Sequence, residues 1–205
     1  MRLTLALPAD RVLVAEVDPG HEAAGEMLLA RLAAPASGLS AGESATVDVD
    51  WAPLRLRADE RLVVAEEPEY GREGAPFHPS LTVTSALWAA EQRLIAELDL
   101  TPEPVTAMQF VHVSDEALRA GSVVGHRRER ASGPFTGWEI VSPTDELEAA
   151  SFGYYTVREL AARRPAWLAA LSLPRGWSFR FVAETLVDCV SPAGETHAVG
   201  LSIPL

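Results

Sequence analysis

The chain has 205 residues, 48% of them hydrophobic and 22% charged, with a net charge of −12. That length allows one large domain or two of about 100 residues, and the balance of apolar and charged residues excludes an intrinsically disordered chain. The negative charge argues against nucleic-acid or anionic-membrane partners, which need a basic face, and a single cysteine, Cys189, excludes an internal disulfide and a cysteine-rich zinc site.

In chain order, the apolar runs Leu3 to Leu7 and Arg11 to Val17 flank a turn at Pro8-Ala9-Asp10 and read as two strands. The opening lacks a long apolar core, and no later run approaches the roughly 20 residues needed to span a bilayer. No secretory leader is therefore expected, and the cytoplasm is the expected compartment. From His21 to Ala34, Ala24, Met27, Leu28 and Leu32 recur at helical spacing, with Pro35 expected to end the helix. Val47, Val49 and Trp51 alternate with Asp48 and Asp50, the pattern of a half-exposed strand that Pro53 should break. Two short strands around Ala58-Asp59-Glu60 follow. Glu66 and Glu67 at the end of the second are expected on a solvated edge, pointing to opposite sides.

A second helix is predicted from Thr84 or Ser85, either of which could cap it, to about Leu100, with Leu87, Ala90, Leu94 and Leu98 on one face. The two prolines of Thr101-Pro102-Glu103-Pro104-Val105 mark the best candidate boundary. The expected organisation is an N-terminal α+β domain over 1–103 and a C-terminal α+β domain over 104–205. In the second half, strands are predicted over 105–113, 122–130 and 137–142, with Ser114 capping the turn between the first two. A short acidic helix is expected after Pro143, and Thr156 to Glu159 form a capping-box pattern at the head of another helix. Pro165 suits the first turn of a further helix to Leu171, and three strands close the chain. Strands and helices alternate without a βαβ rhythm, so the fold class is α+β, with largely antiparallel sheets and short helices packed on them.

The residues carry no phosphate-binding glycine loop, metalloprotease motif, nucleophile elbow or Cys-x-x-Cys pair. No catalytic residue, cofactor or metal site is assigned on that basis. The five histidines lie at least fourteen positions apart, and His112 reads as a satisfied strand residue. Cys189 sits in an apolar strand, where a lone thiol is an inert small hydrophobe. Trp88 and Trp167 read as core, and Trp138 as either a core plug or an interface anchor. Asp145 and Glu146 suit a helix N-terminus and could also face a basic partner.

From Gln109 to Val182 the order of features resembles a bacterial family of immunity proteins of polymorphic toxin systems, number thirty-three, first catalogued as a domain of unknown function. The stretch Phe110 to Glu129 resembles its opening, which ends in an Arg-Glu pair, here Arg128-Glu129. Next come a Gly-Trp, here Gly137-Trp138, a strand, and an acidic cluster, here Asp145, Glu146 and Glu148. A Leu-x-x-Pro-x-Gly-x-x-Phe close follows, here Leu171, Pro174, Gly176 and Phe179. His126 and Arg127 depart from the family's aromatic or methionine residues, and Ser142-Pro143-Thr144 from its glycine; these positions are expected on the surface.

The resemblance implies a non-catalytic binder that neutralises a cognate protein toxin, for which net charge favours a basic one. Arg128, Glu129, Trp138, Asp145, Glu146 and Glu148 are the candidate partner-binding residues. Arg128 and Glu129 are expected to pair within the fold and Trp138 to pack beneath the acidic segment. The residues leave two alternatives open: a small hydrolase or transferase with a site between the two halves, using His78, His126 or Cys189, and a ligand-sensing accessory module.

Overall fold

A computed structural model describes residues 1–72, 74–145 and 151–203. β1 (Arg2–Leu7) and β2 (Arg11–Glu16) form an antiparallel hairpin through Ala9 and Asp10, both with positive φ. β3 (Ser44–Val49), β4 (Ala52–Ala58) and β5 (Leu62–Pro68) form an antiparallel meander. β5 lies parallel to β2, giving the order β1-β2-β5-β4-β3, with β6 (Phe77–His78) added against β5. The second sheet has the order β10-β7-β9-β8-β11-β12-β13. It comprises β7 (Phe110–Ser114), β8 (Ser122–Arg127), β9 (Phe135–Val141), β10 (Phe152–Thr156), β11 (Ser178–Val182), β12 (Thr185–Val190) and β13 (Thr196–Ser202). All its neighbours are antiparallel except β7 and β9. Two mixed, mostly antiparallel sheets with a few short helices make the fold α+β.

Helix α1 (Glu22–Ser37) packs on β1, β2 and β3; α2 (Thr82–Glu97) packs on α1 and on a 3-10 helix, Pro165–Ala170. Helix α3 (Val157–Arg163) leaves β10 through the predicted capping box, with Thr156 accepting from Glu159 N–H and the Glu159 carboxylate from Thr156 N–H. One apolar cluster runs from Leu3 and Leu13 of the first sheet through Leu87, Leu94 and Trp167 to Trp138, Phe179 and Phe181 of the second. Polar ties cross the same seam: Trp51 Nε1 donates to Glu91 Oε2 at 3.0 Å, and Arg158 Nη2 to Asp48 Oδ1 at 2.9 Å.

Pro35 does not end α1 but lies inside it, two residues before its end; the bond it forgoes is the single one to the Arg31 carbonyl, and Ala36 beyond it is packed in the core. Pro53 belongs to β4, at a position paired with β3 but beyond the reach of β5. Neither Thr84 nor Ser85 caps α2; both are buried in its first turn. Their place is taken by Glu67, which is fully buried rather than on a solvated edge. Its carboxylate accepts from Val83 N–H at 3.1 Å and from both Thr84 N–H and Oγ1 at 2.7 Å. Glu66 faces the opposite side, as alternation requires, and is buried too, gripped by Arg55 at 2.5 Å and Arg57 at 3.2 Å.

The strand expected over 105–113 begins only at Phe110, after a Thr106–Gln109 turn. Pro165 opens a 3-10 helix rather than an α-helix. Ser114 does cap its turn, accepting from Ala117 N–H at 3.1 Å. Residues Phe152–Thr156, with no strand expected there, form β10 against β7. The short acidic helix expected after Pro143 falls largely on 146–150, outside the described residues.

Candidate functional site

The second sheet has two unlike faces. Val113, Ile140, Gly125, Phe179 and Cys189 stand side by side across it and are all buried. Gly125 is required there, since a Cβ would fall 2.3 Å from the Phe179 ring. One residue along each strand, the parallel row Tyr154, His112, Glu139, His126, Ser178 and Val190 faces outward and is partly or fully exposed. The end of the 3-10 helix lies over the first face, where the Leu171 carbonyl accepts from Trp138 and Arg127, and the second face is open.

At the β10 end of this open face aromatic rings gather. His112 lies edge-on to Tyr154, centroids 4.4 Å apart, and to Phe135 at 5.6 Å; Phe110 stands 5.9 Å from Phe135. Tyr154 is 60% exposed and Phe135 39%, large values for aromatic side chains on a sheet. Between Phe110 and His112 on β7 the partner strand β9 advances from Phe135 to Glu139, a bulge with two extra residues. Gly137 makes it possible with φ +87°, and Thr136 Oγ1 stitches it by donating to Phe110 O at 2.9 Å. Over the bulge lies a cleft of about 190 Å³, bounded by Phe110, Phe135, His112, Glu139, Arg128 and Arg130.

Charged groups rim the cleft. Arg128 Nη2 binds Glu139 Oε1 at 2.5 Å, and His112 Nδ1 stands 3.6 Å from the same oxygen. His112 is therefore not the satisfied strand histidine expected, because its Nε2 is enclosed with no hydrogen-bond partner.

Alternation along β9 turns Trp138 inward with Thr136 and Ile140. Its ring is 1% exposed, lies 4.8 Å from Phe179, and donates from Nε1 to Leu171 O at 2.8 Å. Of the sequence-predicted residues, Arg128 thus pairs with Glu139 instead of its neighbour Glu129. Glu129 is exposed and takes no ion pair among the described residues. Trp138 is held in the core beneath the 3-10 helix. Asp145 caps its own turn, accepting from Ser142 N–H at 2.9 Å and from the Ser114 hydroxyl. Glu146 and Glu148 lie outside the described residues.

Arg127, expected on the surface, is 3% exposed. Its guanidinium donates to the carbonyls of Thr136 at 3.1 Å, Glu103 at 2.9 Å and Leu173 at 2.6 Å, and it stands 3.6 Å from the Glu103 carboxylate. Burial lowers its pKa, with Glu103 opposing. It locks the bulge to the segment before β7 and to the end of the 3-10 helix. Residues 90–191 match the Imm33-like domain family. That span begins inside α2 and ends just past β12, wider on both sides than the resemblance at 109–182. The open face, the bulge and its cleft all lie within that matched span. No curated protein and no solved structure matches the chain.

A second cleft of about 220 Å³ lies between the halves, bounded by Pro53, Tyr70 and Phe77 on one side and by Arg158 and Ala161 of the matched span on the other. None of His78, His126 and Cys189 lines it. His78 stands 3.6 Å from Glu67, His126 Nδ1 is 2.9 Å from Ser178 Oγ, and burial pushes the Cys189 thiol up to about 12. Among the described residues no three His, Cys, Asp or Glu side chains are placed to hold a metal ion, and no helix is long and apolar enough to cross a membrane. The aromatic members of the open-face cluster were missed from sequence because Phe135 reads as loop and Tyr154 belongs to an unpredicted strand. Only the alternation in Phe135 to Val141 hinted at an outward row.

Proposed function

We propose that this chain is an immunity-type protein that binds a cognate protein toxin in the cytoplasm and neutralises it by covering its active site or substrate path. The observation that carries this reading is the solvent-open aromatic cluster on the sheet of the Imm33-like domain. Exposed, rigid aromatic side chains beside arginine make the usual energetic centre of a protein interface. Binding of this kind needs no acid, base or nucleophile of the chain's own. A net charge of −12 favours a toxin of opposite charge, whose approach it would accelerate at low ionic strength.

The test co-expresses the tagged chain with the products of its neighbouring genes and assays any co-purified toxin for activity. A stoichiometric complex with the toxin silenced is expected. Replacing Phe135 and Tyr154 together by serine should weaken it by about 100-fold, the loss of two interface anchors, without lowering the melting temperature. A folded chain that silences no neighbouring product would overturn the proposal. A complex indifferent to the double substitution would move the contact off this face.

A further inference from the structure

The cleft over the β9 bulge differs in sign from the molecule around it. In a chain of net −12, its rim carries two guanidinium groups, Arg128 and Arg130, against one carboxylate, Glu139. That carboxylate is engaged by Arg128 at 2.5 Å and faces His112 as well. Arg130 is exposed and takes no ion pair among the described residues. The walls are apolar, Phe110 and Phe135 with centroids 5.9 Å apart, and the enclosed Nε2 of His112 is an unused polar atom beside them. A space of about 190 Å³ is smaller than the roughly 300 Å³ at which small-molecule pockets begin. It suits a side chain or two presented from a protein surface.

We propose that the cleft recognises an acidic residue next to an apolar or aromatic one on the partner. The incoming carboxylate meets Arg130 and the free side of Arg128, and the neighbouring side chain lies on Phe110 and Phe135. A planar guanidinium can grip a carboxylate through two parallel hydrogen bonds, and the excluded water strengthens them. A polyanion is disfavoured, because the surrounding molecule repels it at long range. A single carboxylate on a basic protein escapes that repulsion. The inference rests on the toxin-binding reading and assigns the chemistry of its contact.

The test titrates N-acetyl-aspartyl-phenylalanine amide into the full ¹⁵N-labelled chain and follows backbone amides. Saturable shifts are expected near Phe110, Arg130 and Gly137. The asparaginyl peptide, which lacks the charge, should bind at least about tenfold more weakly. R130Q should abolish the difference between the two peptides at an unchanged melting temperature. Equal binding of both peptides by the wild-type chain, no saturable shift, or equal displacement of the same amides by inorganic phosphate would each overturn the assignment. Failure of the parent reading looks different: the wild-type chain then silences no toxin. A wrong cleft chemistry instead leaves neutralisation intact and R130Q indistinguishable from wild type.

Discussion

Glu91 stands in α2 at the seam between the two sheets, with its carboxylate enclosed and accepting from the Trp51 indole. Burial pushes its carboxyl up to about 7 from an ordinary 4.5; the Trp51 hydrogen bond opposes the shift, Asp50 adds to it, and Arg31 counters. The folded protein therefore holds a proton that the unfolded chain releases between those values, and stability falls as pH rises through that window. Glu91→Gln keeps an acceptor for Trp51 and removes the titration. At pH 8 it should stabilise the protein by about 3 kcal/mol, with the gain vanishing below pH 4.5. Denaturant midpoints of both proteins across that range check this; a gain independent of pH would show that the carboxyl does not titrate as its burial demands. Cys189 gives no comparable lever, since its buried thiol stays protonated at neutral pH.

At the scale of elements, α2 begins on a carboxylate borrowed from a strand. The first N–H groups of a helix have no partner in their own helix, and a negative charge there also meets the positive end of the helix dipole. Glu67 supplies both from β5. Glu67→Ala should cost about 2 kcal/mol, a capping loss plus two orphaned buried donors. Glu67→Gln, which keeps one acceptor, should cost less, and thermal melts of the pair would rank them; equal melting of all three would remove Glu67 as the cap.

Comparison with the capping box at Thr156 shows what a sequence can disclose. Thr156 and Glu159 are three residues apart, so their pattern is local and legible. Glu67 meets Val83 and Thr84 across 16 and 17 residues, and nothing within Glu66-Glu67 announces that. Arg127 was hidden in the same way, inside the run His126 to Arg130, which reads as a solvated charged stretch while its partners lie at Glu103, Leu171 and Leu173. Hydrophobic periodicity located most strands and both long helices, because burial repeats along the chain. The open-face cluster depends on which side of a sheet is covered, and that is decided by helices distant in sequence.

Across the whole molecule, a single core ties the halves together although each contributes its own sheet. Residues 104–205 alone would lose α2, against which the 3-10 helix packs, and the Asp48 partner of Arg158. Fragment 104–205 should therefore lack a cooperative thermal transition, and calorimetry with NMR dispersion would show this; a sharp melt would make the second half an independent domain. Charge acts at two ranges on this body. The net −12 governs the approach of a partner over distances near the Debye length, about 8 Å in physiological salt. In the proposed complex Arg128 and Arg130 act only on contact, so a basic toxin would be drawn in by the whole and still present an acidic residue to the cleft.

Alternation along β8 and β9 sets neighbours in the chain on opposite faces of the sheet beside the bulge. Trp138 goes inward with Arg127 to hold the frame, while Glu139 goes outward, paired with Arg128 on the open face. In the proposed complex, substitutions at Arg128, Arg130, Phe135, Glu139 and Tyr154 should accordingly alter which partner is recognised while leaving foldedness nearly untouched. A lineage obliged to follow a changing adversary could rewrite its recognition one residue at a time without passing through an unfolded ancestor.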